Sequence, residues 1–231
     1  MAAQAIPQDI VTIILGIPLL LIALFFSRKG LIKGRLLLTG TLAYFLYTYT
    51  SYAFLCMYNQ FFIIYVMLMS ASLFAFVLSM LSFDIEKLKS NFSEKFPVKF
   101  VGGFVLFCVT FIGLMWLKLI LTPLLNGSVP TVLEHYTTLV IQVMDLGFIV
   151  PSGIIAGILL IKKRPFGYLL ASVITIKAIT MLSAMTAMII RQIIAGANVD
   201  IVMSIVIPIF NLTAIFSFYI IMKNVKEPIT K

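Results

Sequence analysis

Asp145 and Lys177 carry opposite charges, and each lies well inside a long apolar run. A charge at the centre of a bilayer costs about 2.5–3.5 kcal/mol on insertion scales, so an ionisable residue there needs a partner or a task. The two runs are joined by the short turn KKRPFG (162–167), which makes them antiparallel neighbours by expectation. By helical rise, Asp145 lies about 12 Å and Lys177 about 20 Å below the same outer end. A lysine stem bridges that gap only if it reaches outward, against the inward lean of its Cα–Cβ bond. The pair reads either as a static ion pair that fixes helix packing or as a working charge centre.

Two polar constellations accompany it. In the run that holds Asp145, the residues Glu134, Thr138, Gln142, Asp145 and Ser152 fall at helical spacing on one face, with His135 at the outer mouth. A polar face that runs from outer water to a buried carboxylate is either an access path or a row of interhelical hydrogen bonds, worth about 0.6 kcal/mol each. The second constellation is YFLYTYTSY. Tyr44, Tyr47, Thr48, Ser51 and Tyr52 occupy i, i+3, i+4, i+7 and i+8, a stripe of five hydroxyls that should face protein or water rather than lipid. It reads as cavity lining or as packing glue, and Asn211, three residues after Pro208, is a weaker residue of the same kind.

Other chemistries lack their residues. One histidine is too few for a bis-histidine haem, and neither HExxH nor GxSxG occurs. There is no CxxC or Cys/His cluster for zinc or iron–sulfur. Cys56 and Cys108 differ in depth by about 18 Å, beyond disulfide reach, and read as two free thiols. A buried lysine among seven helices also invites comparison with retinal proteins, but the single tryptophan, Trp116, sits near an interface and no ring-sandwiching pocket is suggested. No cofactor and no metal are expected.

The elements that must position these residues are membrane spans. The chain has 231 residues, is 62% hydrophobic and only 11% charged, with a mean hydropathy of +1.15. Soluble domains are roughly 45–50% apolar and about 25% charged. The expected fold is therefore all-α, a polytopic bundle of seven transmembrane helices forming a single domain. The spans are 10–26, 36–55, 61–83, 100–121, 137–161, 166–190 and 201–222, with Pro18, Pro151 and Pro208 inside the first, fifth and seventh.

Lysine and arginine fix the expected orientation. Arg28, Lys29, Lys33 and Arg35 follow the first span. Lys87, Lys89, Lys95 and Lys99 follow the third, Lys162, Lys163 and Arg164 the fifth, and Lys223, Lys226 and Lys231 the seventh. The alternate loops hold only Arg191. This asymmetry puts the N-terminus outside and the C-terminus in the cytoplasm. It also turns the net charge of +9 into topology signals and contacts with anionic headgroups rather than a nucleic-acid surface. The N-terminus MAAQAIPQD has no basic region ahead of the first apolar run, which argues against a cleaved leader. Residues 84–99, with Phe92 and Phe96 among charges, read as a short helix on the inner headgroups or as a charged loop. Trp116 and Lys118 read as an interfacial anchor and a snorkelling lysine, not as site residues. Gly153 and Gly157, and Ser183 with Ala187, are small pairs that let helices approach closely.

Under an offset of 133, Pro18 meets Pro151, Gly34 meets Gly167, Leu36 and Leu37 meet Leu169 and Leu170, and Tyr44 meets Lys177. Under an offset of 142, LFAFVLSM (73–80) meets IFSFYIIM (215–222). This reads as a parallel 3+1+3 duplication, a transporter habit, or as chance likeness between apolar segments.

The stretches GRLLLTGTLAYFLYTYTSYAF (34–54), LEHYTTLVIQVMDLGFIVP (133–151) and RPFGYLLASV (164–173) resemble a family of uncharacterised prokaryotic multi-pass membrane proteins. The resemblance implies a prokaryotic cell membrane and no particular activity. The functional expectation is a small-solute or ion permease with a buried Asp/Lys centre. The alternative is a ligand-sensing or accessory subunit without transport. Either would take an unknown small ligand and would be compatible with an oligomer.

Overall fold

The computed structural model describes residues 2–133, 136–196 and 199–227, with side chains from residue 6 onward. Among them the chain is all-helical, and six helices are long and apolar enough to cross a bilayer. That marks a multi-pass membrane protein.

The first rod, α1, covers residues 2–28. It comprises Ala2–Val11, a π-helical turn at Thr12–Gly16, and Ile17–Arg28. α2 is Ile32–Leu55, α3 Phe62–Leu81, α4 the short Ile85–Ser90 and α5 Val98–Leu125. A 3-10 turn at Thr131–Leu133 precedes α6, Val140–Ile161, which is interrupted by a π-helical turn at Asp145–Ile149. α7 is Pro165–Ile194 and α8 Ile201–Asn224. The expected spans lie within or close to these helices. The main difference is at the start, where α1 takes in Gln8 and Asp9, which the sequence reading left outside the first span. Glu134 and His135 lie outside the described residues.

α2 is the long helix missing from the six. Lys33, Arg35 and its hydroxyl stripe lower its hydropathy, yet it is no peripheral element. It packs against α1, α3 and α7, and ten of its residues are buried, Leu36, Thr39 and Tyr44 completely. α2 and α7 cross at the centre so closely that a Cβ on Gly40 would lie 2.4 Å from the Ile176 side chain. α5 and α6 approach likewise: a Cβ on Gly153 would fall 2.3 Å from Val109, and one on Gly157 2.9 Å from the Gly102 carbonyl. α3 and α8 lie outside these pairs and show long apolar faces, Phe74 and Leu78 on one, Leu212 and Phe216 on the other.

The two interrupted rods share local geometry. Each π-helical turn closes with an i→i+5 bond, Ile17 N–H to Thr12 O in α1 and Val150 N–H to Asp145 O in α6. The next residue but none is proline, Pro18 or Pro151, whose missing N–H ends the ladder bond one step on. Thr12 and Asp145 are 133 positions apart. The offset holds in the turn that follows. Gly30 has φ 78° and Lys163 has φ 54°. The preceding helix closes with Leu31 N–H to Phe26 O in one case and Arg164 N–H to Leu159 O in the other. Gly34 and Gly167 then press their Cα atoms on that helix end: a Cβ would stand 2.5 Å from the Phe26 carbonyl carbon and 2.3 Å from the Leu160 nitrogen.

The basic segments gather at one end of the bundle and are sewn together there. Glu227 accepts the free N–H groups of Ile32 at 2.7 Å and Lys33 at 3.0 Å, capping α2 from the far end of the chain. Arg35 donates to Ser82, Lys226 N–H to Asn91 O, and Ser93 N–H to Asn224 O. Segment 84–99 is helical only at Ile85–Ser90. Asp84 caps it, accepting Lys87 N–H, and the hydrogen bonds from Lys87 hold the Asp84 carboxyl below its usual range. Leu88, Phe92 and Phe96 are buried, and both phenylalanines lie against Tyr168 of α7. The segment's apolar side chains therefore plug the bundle rather than face headgroups.

Candidate functional site

The π-helical turn of α6 sets Asp145 at the junction of four helices. Tyr47 of α2 donates its hydroxyl to Asp145 Oδ1 at 2.8 Å, and Trp116 of α5 donates Nε1–H to Oδ2 at 2.8 Å. Lys177 of α7 lies over the ring of the same tyrosine, with Nζ 3.9 Å from the ring centroid. Lys177 is only 8% exposed and Tyr47 6%. No nitrogen–oxygen contact within 4.0 Å joins Lys177 to Asp145. Among the described residues the ion pair at that range is the exposed Lys87–Asp84, at 3.0 Å. Tyr47 thus touches both charges, its hydroxyl donating to the anion and its ring face meeting the cation.

The two charges are served unequally. Each oxygen of Asp145 has a donor at hydrogen-bond distance. The three N–H groups of Lys177 meet no acceptor among the described residues. The side-chain amide of Gln142, one turn before Asp145 in a residue 8% exposed, likewise has no hydrogen bond among the described residues. Two open clefts come down on either side of this stretch of α6. One, of about 590 Å³, is lined by Thr138, Gln142, Leu146 and Gly147. The other, of about 420 Å³, is lined by Thr50, Thr138, Met144 and Phe148. Both end at residues adjoining Asp145 in the chain.

No family model, no curated protein and no solved structure matches this chain. Its site has to be understood from its own side chains.

The hydroxyl stripe of α2 divides between two neighbours. Tyr47 faces the charge centre. Tyr44, Thr48 and Tyr52 face α1. There Gln8 Nε2 donates to Tyr44 Oη at 2.8 Å and to Thr48 Oγ1 at 3.4 Å. Thr12 Oγ1 and Tyr44 Oη share a 2.7 Å bond, and Tyr52 donates to Asp9 Oδ1 at 2.8 Å. Ser51 bonds its own helix, at Thr48 O. Asn211 pairs with Ser183 and ties α8 to α7. Thr12 opens the first π-helical turn as Asp145 opens the second, and Thr12 precedes Tyr44 by 32 residues as Asp145 precedes Lys177. A neutral pair in hydrogen-bond contact thus occupies the places that the charged pair takes 133 residues later.

Four participants escaped the sequence reading: Trp116, Gln8, Asp9 and Thr12. Trp116 was legible in principle, since a half-buried indole N–H seeks an acceptor and α5 has to pack on some helix. The interface-belt reading was simpler and displaced it. Among the described residues no cluster of three His, Cys, Asp or Glu side chains could hold a metal ion, and both cysteines are free.

Proposed function

We propose that this chain is a small-solute or ion permease of a prokaryotic cell membrane, with seven crossings, the N-terminus outside and the C-terminus in the cytoplasm. The observation that carries the reading is the unmet ammonium of Lys177, set against Tyr47 at the junction of α2, α5, α6 and α7, one tyrosine away from Asp145. A static ion pair would be in direct contact. Two charges that meet the same tyrosine without contact at ion-pair range, near a break in the helical ladder, retain chemistry for a third party.

The parallel 3+1+3 plan draws support from the coincident π-helical turns, the positive φ at residues 30 and 163, and the equivalent contacts of Gly34 and Gly167. Under that plan α1–α3 and α6–α8 are the units, α5 is the linker helix, and α1 and α6 are the flexible member of each. The gathering of basic segments at one end, where they would meet anionic headgroups, supports the orientation.

The test is solute uptake into proteoliposomes by wild type, Asp145→Asn and Lys177→Met. Each variant is expected to insert and to lose at least tenfold in flux. Unchanged flux in both would remove the centre from the mechanism. A second reading, a ligand-sensing subunit without transport, is favoured by the satisfied hydroxyls of Tyr44, Thr48 and Tyr52, which hold α1 to α2 rather than line a channel. It expects ligand binding without flux.

A further inference from the structure

We infer that the ligand of the Asp145–Lys177 centre is a small monovalent anion, a monocarboxylate or halide, and that Asp145 takes up one proton when the anion binds. The inference rests on the functional reading above and adds the sign of the ligand and its coupling.

The sign follows from the hydrogen-bond inventory. Asp145 has one donor on each oxygen, from Tyr47 and Trp116. Lys177, nearly as buried as Tyr47, has three donors and no acceptor among the described residues, only a ring face at 3.9 Å. The Lys177 side chain is buried but its Nζ keeps some accessible surface and meets no acceptor among the described residues, so the complementary group is an acceptor that can reach it, most strongly an anionic one. A cation is disfavoured because it would sit beside the positive charge of Lys177, with the Asp145 oxygens already stabilised by Tyr47 and Trp116.

The proton follows from charge balance. Lys177 and Asp145 together are neutral. An added anion leaves one net negative charge in a medium where uncompensated charge is expensive. The groups facing Asp145 are Tyr47 from α2, Trp116 from α5 and Lys177 from α7, and Lys118, further along α5, is exposed. Of these, Asp145 is the acid whose protonation restores neutrality. The carboxylate takes one proton from water and no other bond changes. The two clefts beside α6 are lined by chain neighbours of Asp145, Met144 in one and Leu146 and Gly147 in the other.

Trp116 is the only tryptophan in the chain, and its N–H rests on Asp145. Its emission therefore reports on the site. Wild-type protein in nanodiscs is titrated with sodium acetate, sodium lactate and sodium chloride, and separately with methylammonium sulfate, at several pH values. Saturable emission changes are expected with at least one anion and none with methylammonium, and the apparent affinity should rise about tenfold per pH unit lowered. Lys177→Met should weaken the response at least tenfold, with Lys177→Arg retaining it as the control for folding. Asp145→Asn should keep anion binding and lose its pH dependence. A response to methylammonium alone overturns the sign while leaving a functional centre. A pH slope that survives in Asp145→Asn overturns the seat of the proton. Absence of any ligand response overturns the whole inference. If the uptake defects of Asp145→Asn and Lys177→Met persist in that case, the permease reading outlives it.

Discussion

Tyr47 illustrates how one side chain settles a question that residue types leave open. Counting along the helices placed Asp145 and Lys177 at different depths, with a direct pair requiring the lysine to reach against its own Cα–Cβ bond. The tyrosine removes that requirement by meeting both charges with different parts of one ring. Its two roles separate by mutation. Tyr47→Phe deletes the donor to Asp145 and keeps the ring under Lys177. Trp116→Phe deletes the other donor. Hydrogen bonds to charged groups are worth about 1.5–3 kcal/mol, so each substitution is expected to lower stability by about that much, measured as unfolding in a mild detergent. Tyr47→Ala should cost more than Tyr47→Phe because it also uncovers Lys177. Equal effects of the two Tyr47 variants would mean that the ring face contributes nothing.

At the scale of elements, hydropathy located the helices and missed what interrupts them. Neither π-helical turn has a periodicity signature, because the apolar pattern of α1 and α6 continues through it. Only the prolines two residues after each turn marked the place. The start of α1 was cut short because Gln8 and Asp9 are polar, and polarity reads as an end when the partner that satisfies it, the hydroxyl stripe of α2, lies about forty residues away. Gly34 and Gly167 were visible as an aligned pair, while their physical necessity appears only in the turn geometry. Gly34→Ala and Gly167→Ala would each drive a Cβ to 2.5 Å or less from backbone atoms that cannot yield. Both should therefore reduce folded yield strongly and to a similar degree, beyond the about 1–3 kcal/mol usual for overpacking. Gly103→Ala, whose Cβ meets nothing within 4 Å, should be neutral or slightly stabilising. The comparison is read by size-exclusion recovery and thermal unfolding of the three variants in parallel. If Gly34→Ala alone were tolerated, the likeness of the two turns would not extend to their energetics.

For the whole molecule, the decisive element is α2, expected from the sequence as the second span (36–55) and the long helix missing from the six most apolar ones. Its 24 residues extend about 36 Å, enough for a hydrocarbon core of about 30 Å. It packs against α1, α3 and α7, each long and apolar enough to cross. Several of its polar residues are bonded to neighbouring helices: Tyr44 and Thr48 to α1, Tyr47 to α6, Thr39 to Ser79 of α3. Polar side chains bonded to other helices need no water, which is what makes the proposed α2 crossing compatible with its low hydropathy. On the proposed seven-span plan its crossing fixes the sidedness of everything after it, because removing one crossing reverses the loops that follow relative to the N-terminus. Lys29→Cys and Asn59→Cys, both exposed positions flanking α2, test it in a Cys56→Ser, Cys108→Ala background. In intact cells a membrane-impermeant maleimide should label position 59 and spare position 29 until the cells are opened. Labelling of both from the same side would leave α2 uncrossed, reduce the spans to six, and separate Tyr47 from the depth at which it meets Asp145 and Lys177.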